Sequence, residues 1–398
     1  MFISPFDFRR EVKEELFRIL DYWMKFAVEK DGDGFYGVVD DKNVADNRAP
    51  KSVVINSRIL WTFSAAHQMF PNPAYPVIAK RAYDYIRKYF IDKDYGGVYW
   101  SVTSDGKPLQ TKKQLYGHAF AIYGLSEYFK INKADEILKT AVDIFDRVIK
   151  HGYDNLNSGY IEAFERDWSD TDDYILSKAP NSKSMNTHLH LLEAFTNLHR
   201  VWKNESSKFH LQHSIEVMLN RIINPTTSSM TLFFTSNWER RSAIISYGHD
   251  IEASWLLCEA AEVLGDKAVI SECKTTAMQM VIGATKGLAN DGSLNYELDT
   301  TDNRLNENKQ WWPQTEGMVG FLNAYQLTGK VKYLERSQMV WEFIKKHLID
   351  HDYGEWCGGV SADYKIRSCD KVTFWKCPYH NGRACMEIWK RLGKNHSY

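Results

Sequence analysis

No run of apolar residues in this 398-residue chain approaches the ~20 needed to cross a bilayer. An excess of one charge is missing too: 50 Lys and Arg stand against 51 Asp and Glu. Without a basic surplus, neither a nucleic acid nor a membrane surface is an expected partner. The opening residues M-F-I-S-P-F-D-F-R-R lack the basic-then-apolar layout of a secretory leader, so a cytoplasmic location is expected. No Gly/Ser-rich or low-complexity stretch divides the chain, which predicts one domain over residues 1–398. The six cysteines (Cys258, Cys273, Cys357, Cys369, Cys377 and Cys385) lack the short paired spacing of a zinc site, and H-E-x-x-H is absent. No metal or other cofactor is expected, and in a reducing compartment the thiols should be free.

Aromatic residues, by contrast, are plentiful, at 14% of the chain with 13 Trp and 22 Tyr. Most belong to the core. The surplus suits flat stacking surfaces, and with no basic excess a sugar is a better match than a base. A small-molecule sugar is therefore the expected partner.

A turn signature recurs along the chain. It reads D-G-D-G-F-Y-G at Asp31, D-Y-G-G-V-Y-W at Asp94, N-S-G-Y at Asn157, N-D-G-S-L-N-Y at Asn290 and D-Y-G-E-W at Asp352. Gly34, Gly96, Gly159, Gly292 and Gly354 are spaced by about 62 residues with one double-length gap, and N-P-T-T-S-S-M in that gap is turn-like without the glycine. Six units fit. Between the turns the apolar period is helical: Val12, Leu16, Ile19, Leu20 and Trp23 form one stripe, and Ile137, Leu138, Ala141, Val142 and Phe145 another. Val331, Leu334, Met339, Trp341 and Phe343 form a less regular one. About 60 residues accommodate two helices and a long loop, so about twelve helices are predicted. An open solenoid needs polar end caps. None is visible, which leaves an all-α, closed (α/α)6 barrel with its long loops gathered at one end around a cavity. A monomer or weak homodimer is expected.

The starts of the helices that follow the long loops should converge on that cavity. K-S-V-V-I-N-S-R-I-L-W sets Arg58 in an apolar helix. A buried guanidinium is ordinarily paired with a carboxylate, and its functional alternative is an oxyanion clamp. K-Q-L-Y-G-H-A-F offers Tyr116 and His118. In S-M-N-T-H-L-H-L-L-E-A, Asn186 and His190 share a face, whereas His188 points elsewhere. S-Y-G-H-D-I-E-A-S-W places His249, Glu252 and Trp255 along one face. In W-W-P-Q-T-E-G, Pro313 suits a first helical turn, with Trp312 and Glu316 four apart. In W-K-C-P-Y-H-N-G-R, Pro378 again suits a helix start, with Tyr379 as filler, His380 aimed inward and Trp375 on the loop before it. A lone histidine would be read as core or cap. Recurrence at equivalent helix starts argues for a shared site. Positive helix ends should keep these imidazoles neutral and able to accept a proton.

Taken in order, N-S-R-I-L-W, M-N-T-H-L-H, S-Y-G-H-D-I-E-A-S-W, W-W-P-Q-T-E and W-K-C-P-Y-H-N-G-R resemble the N-acylglucosamine 2-epimerase superfamily, and within it the cellobiose 2-epimerases. The resemblance implies an (α/α)6 barrel and metal-free interconversion of sugars differing at C2. It implies a β-1,4-linked disaccharide such as cellobiose or lactose, changed at its reducing-end glucose through a cis-enediolate. It puts Arg58, His190, His249 and His380 on catalytic positions. Glu252 and Glu316 fall on supporting carboxylates, Trp312 and Trp375 on sugar platforms, and Tyr116 and Asn186 on binding positions; Trp255 joins the binding set from its place on the face of His249. Two departures, Thr315 before Glu316 and S-K-A-P-N-S-K from Ser177, bear on substrate size. An epimerase or isomerase of free mannose and glucose is the alternative. Rivals of other classes are an inverting glycosidase and a sugar-binding protein without catalysis.

Overall fold

Polar turns and apolar stripes resolve into a regular alternation in the computed structural model, which describes residues 3–177, 180 and 182–393. Among these residues twelve α-helices follow one another: α1 (Pro5–Tyr22), α2 (Val53–Met69), α3 (Ala74–Tyr85), α4 (Leu115–Ile131), α5 (Asp135–Arg147), α6 (Met185–Val201), α7 (Glu205–Val217), α8 (Tyr247–Leu264), α9 (Lys267–Ala284), α10 (Trp311–Thr328), α11 (Val331–His347) and α12 (Tyr379–Gly393). The even-numbered helices carry buried residues all round, as in α4, where Leu115 through Tyr128 are all buried. A helix with no polar face must sit inside. Each even helix packs on the next, and α12 returns to α2, closing an inner ring. The odd helices are striped and pair with the inner ones from outside, α1 on α12 and α11 on α10. The fold is therefore an (α/α)6 barrel. The α1 stripe is wholly buried, but in the irregular α11 stripe Val331 is 58% exposed.

Turns at the same place in each of the six units are closed by isolated bridges: Val28 with Phe35, Ile91 with Val98, Tyr153 with Tyr160, Ile223 with Met230, Leu288 with Leu294 and Ile349 with Trp356. The fourth lies in the double-length gap. Its left-handed position, held by glycine at Gly96 and Gly354, is taken by Ser228 at φ 58°. The third unit likewise places Ser158 there, at φ 73°, so the turn does not require glycine at this position.

The long loops lie at one end and are stapled to their neighbours. The two residues before an inner helix pair antiparallel with the next unit's loop: Lys51–Ser52 with Ser101–Val102, Lys113–Gln114 with Ala163–Phe164, Lys183–Ser184 with Phe233–Phe234, and Lys309–Gln310 with Gly359–Val360. The lysines beginning these pairs are buried, and Lys113 and Lys183 each meet an aspartate, Asp92 and Asp154, at 2.7 Å. The fourth residue of an inner helix ties the preceding turn. His118, His188, Asp250 and Gln314 accept from the backbone N–H groups of Val98, Tyr160, Met230 and Leu294 at 2.8–3.0 Å. His118 and His188 are thus scaffold residues.

One expectation is corrected. Cys357 and Cys369 form a disulfide, their Cα atoms 4.0 Å apart, while Cys258, Cys273, Cys377 and Cys385 are free and buried. The pair closes a hairpin whose strands, Gly359–Val360 and Ile366–Ser368, bring together residues 12 apart in sequence. That adjacency is set by strand pairing and not by a cysteine motif. The substrate-size departure at 177–183 falls partly on residues 178, 179 and 181, which lie outside the described residues. Among the described residues no helix is long and apolar enough to cross a membrane.

Candidate active site

An inner helix presents its second or third residue, and its sixth, to the loop end of the barrel, because residues three or four apart share a face. Tyr116, Asn186, Trp312 and His380 are second residues and His249 is a third. The sixth residues of α2, α4, α6, α8 and α10 are Arg58, Phe120, His190, Glu252 and Glu316. The geometry brings Arg58, Tyr116, Asn186, His190, His249, Glu252, Trp312, Trp375 and His380 to one cavity of about 380 Å³. Leu176, Tyr296, Gln310 and Trp311 complete its wall.

Two expected contacts are not at this surface. Trp255 lies one helical turn beyond Glu252, and its indole N–H donates to Glu316 Oε2 at 3.1 Å. Its ring lines a separate cavity of about 570 Å³, at the opposite end of the barrel, that contains no histidine. Glu316 is buried behind the wall, where Oε1 meets His380 Nδ1 at 2.7 Å. It orients an imidazole and does not face a ligand.

All three cavity imidazoles are anchored through Nδ1. His380 uses Glu316, His190 meets Glu193 Oε2 at 3.1 Å, and His249 meets Ser246 Oγ at 2.7 Å. A carboxylate only accepts, so Nδ1 of His380 and of His190 carries the proton and Nε2 keeps its lone pair. The rings of His249 and His380 both pack on Trp312, with centroids 4.5 and 5.9 Å away. All three are held neutral. Burial lowers His249 to about 3, with His190 adding to the effect. Burial, then Arg58 and Arg383, push His380 well below its ordinary value, and burial lowers His190 against the pull of Glu193. The direction is that expected of helix starts, but burial is the leading cause.

Arg58 departs from the ordinary reading of a buried arginine. Among the described residues no carboxylate forms a salt bridge with it. Its Nη2 donates to Tyr116 Oη at 2.9 Å and its Nη1 to the Trp375 carbonyl at 3.3 Å. Its guanidinium lies 4.2 Å from the Phe120 ring centroid and 4.9 Å from that of Tyr379. Among the described residues, Nε of Arg58, Oδ1 of Asn186 and Nε1 of Trp311 have no hydrogen-bond partner. A desolvated cation held by aromatic faces and lacking an anion is a ready clamp for negative charge arising in the cavity.

Behind the wall is a cluster that sequence reasoning missed. Arg383, 1% exposed, donates through Nη1 to Glu193 and to the Tyr379 hydroxyl, and through Nη2 to Glu252 Oε1 and Glu316 Oε1, each at 2.7 Å. Tyr379 is more than filler, since its hydroxyl donates to Glu193. Burial would raise the Glu193 carboxyl, but Arg383 and then His190 hold it below the usual range. The signal was available in spacing: Glu193 and Arg383 each follow a cavity histidine by three residues. Trp375, 38% exposed at the mouth, stands edge-on to Trp100 and Tyr116.

The family model for N-acylglucosamine 2-epimerase (GlcNAc 2-epimerase) matches residues 34–384. A cellobiose 2-epimerase of Bacteroides fragilis is 43% identical over 384 residues, covering 96% of this chain and 98% of that one. The solved cellobiose 2-epimerase of Bacillus thermoamylovorans B4167 superposes with a TM-score of 0.92 at 35% identity, covering 97% of this chain and 99% of the other. A D-mannose isomerase structure shares the fold, with a TM-score of 0.84 at 19% identity over 96% of this chain and 97% of that one.

Proposed function

Because the chain belongs to the N-acylglucosamine 2-epimerase family, we propose that it is a sugar 2-epimerase acting on the reducing-end residue of a β-1,4-linked disaccharide such as cellobiose or lactose. The observation that carries this reading is three neutral imidazoles sharing one cavity with an arginine that, among the described residues, touches no carboxylate. After the ring opens, one imidazole of the His249 and His380 pair takes the C2 proton. The electron pair moves onto the aldehyde oxygen, giving a cis-enediolate; the proton then passes from the first imidazolium, through the sugar oxygens and solvent, to the other imidazole, which delivers it to the opposite face of C2. A neutral imidazole can act as base, which an imidazolium cannot. Arg58 balances the charge on the enediolate, while the Nε2 lone pair of His190 is free to accept from a sugar hydroxyl. Trp375 and Trp311 offer surfaces for the second sugar ring, which supports a disaccharide over a free hexose, as do relatives named for cellobiose.

An inverting glycosidase fits poorly. It needs carboxyl groups about 6.5–9.5 Å apart on either side of a glycosidic bond. Glu252 and Glu316 have oxygens within 4.8 Å of each other and hang on the same nitrogen of Arg383.

Cellobiose, lactose, glucose and mannose incubated with the protein in D₂O and followed by NMR separate the readings. The expected result is the C2 epimer of a disaccharide with deuterium at C2. Release of free monosaccharide would instead mean hydrolysis, and an unchanged spectrum would mean binding alone. Arg58→Met supplies a second test. Removing an unpaired buried charge should leave the melting temperature unchanged or higher. Loss of the clamp should lower kcat by about 10²–10³. Thermal melts and steady-state rates on one preparation check both; a stable variant with full kcat would remove Arg58 from the chemistry.

A further inference from the structure

We propose that Glu252 carries a proton in the resting site and meets the sugar as a neutral carboxylic-acid donor. The argument begins with an inventory. Three buried carboxyl groups, from Glu193, Glu252 and Glu316, surround the one guanidinium of Arg383. Two of them place an oxygen on the same Nη2. Like charges this close in a buried site do not all ionise, and one group keeps its proton.

The hydrogen bonds identify which. Glu193 accepts from Arg383 and Tyr379 and is paired with His190 Nδ1. Glu316 accepts from Arg383 and Trp255 and is paired with His380 Nδ1. Among the described residues Glu252 accepts from Arg383 alone, through Oε1. As an anion it is the least supported of the three, and it is the one that lines the cavity. The groups facing it agree: Glu193 from α6, Glu316 from α10, and Arg383 and His380 from α12, with His190 and Arg58 on the same cavity. Burial, then Glu316, raise Glu252 to about 8 against the pull of Arg383.

With Glu252 neutral, the ionised groups of the centre are Arg58, Arg383, Glu193 and Glu316, which balance. A sugar oxygen gaining negative charge then meets a hydrogen-bond donor on Oε2 of Glu252 in addition to the Arg58 clamp. Glu252 keeps its proton throughout, so no covalent step is added. Ionised, the same group would oppose the developing charge. Activity should therefore be full below the pKa of Glu252 and fall as pH rises through about 8. The nature of the sugar rests on the epimerase assignment, whereas the proton rests on the cluster alone.

Infrared difference spectra of the ligand-free full chain, titrated between pH 6 and 9.5, test the proton directly. Burial also raises Glu162 and Asp250 to about 7, so the reading is the difference between proteins: wild type should show a protonated-carboxyl component that titrates away near pH 8 and is missing from Glu252→Gln. If Gln disturbs folding, Glu252→Asp keeps the acid and should shift the band. With cellobiose as substrate, Glu252→Gln should retain part of kcat, because the amide still donates, and should lose the alkaline fall in kcat/KM seen in wild type. No component titrating near pH 8, or one that survives unchanged in Glu252→Gln, overturns the proposal. An alkaline fall unchanged in Glu252→Gln overturns the donor role. If no sugar is turned over at all, the epimerase assignment fails, and the band still decides the proton.

Discussion

His380→Asn should fold, bind sugar and lose about 10²–10⁴ of its epimerisation rate, the range for removing a positioned acid–base group. His380 is buried at the start of α12, with Nδ1 held by Glu316 and its neighbours Tyr379 and Asn381 tied to Glu193 and Glu355. Those ties do not depend on the imidazole, so the helix start survives the change. Asparagine offers the Glu316 carboxylate a donor but has no lone pair able to take a proton from carbon at neutral pH. With two imidazoles on opposite faces of C2, losing one stops epimerisation without abolishing exchange. In D₂O the variant should still place deuterium at C2 of one epimer, the one whose proton His249 removes. His249→Asn should show the complementary pattern, and together the two assign each imidazole to a direction. Full epimerase activity in His380→Asn would remove that residue from the mechanism.

Arg383→Met should lower stability by about 3–5 kcal/mol at neutral pH, the range for deleting one partner of a buried ion pair. The guanidinium meets three carboxyl groups from α6, α8 and α10, so it ties α12 to the rest of the inner ring. Without it, Glu193 and Glu316 are buried with no cation in contact, and burial, which pushes the Glu193 carboxyl up, is no longer opposed by Arg383, so Glu193 should protonate. The sign with pH then follows. In wild type the lowered Glu193 favours the folded state above the unfolded carboxyl pKa of about 4.3, and that contribution is lost as pH falls through its folded value. In the variant the folded state holds more protons than the unfolded one above pH ~4.3, so stability falls as pH rises. Urea denaturation of both proteins at pH 5.5 and 8 reads this. The gap between them should be wider at pH 8; a gap independent of pH would mean that Arg383 acts mainly by packing.

Much of the site was readable because it is written in short-range spacing. Arg58, His190 and Glu252 are sixth residues of inner helices, and Tyr116, Asn186, Trp312 and His380 are second ones. Repeating units bring like positions to one end. Recurrence was less informative about direction. His118 and His188 also recur, but at the fourth position, where the ring turns toward the preceding loop and takes its N–H. Trp255 was misplaced for a related reason: helical spacing gives a shared face but not depth below the cavity floor.

By itself the sequence determined the six-unit count, the helix starts that converge, and the residue types they carry. Each of these depends on periodicity within one unit, where neighbours along the chain are neighbours in space. Only the tertiary structure decided that Glu193, Glu252 and Glu316 share one guanidinium, that Arg58 has none of them, and that Cys357 reaches Cys369. Contacts spanning 131 residues from Glu252 to Arg383, or 190 from Glu193, are set by closure of the ring. Ring closure leaves no period in the chain, and the charge state of a buried group depends on every partner that the closure supplies.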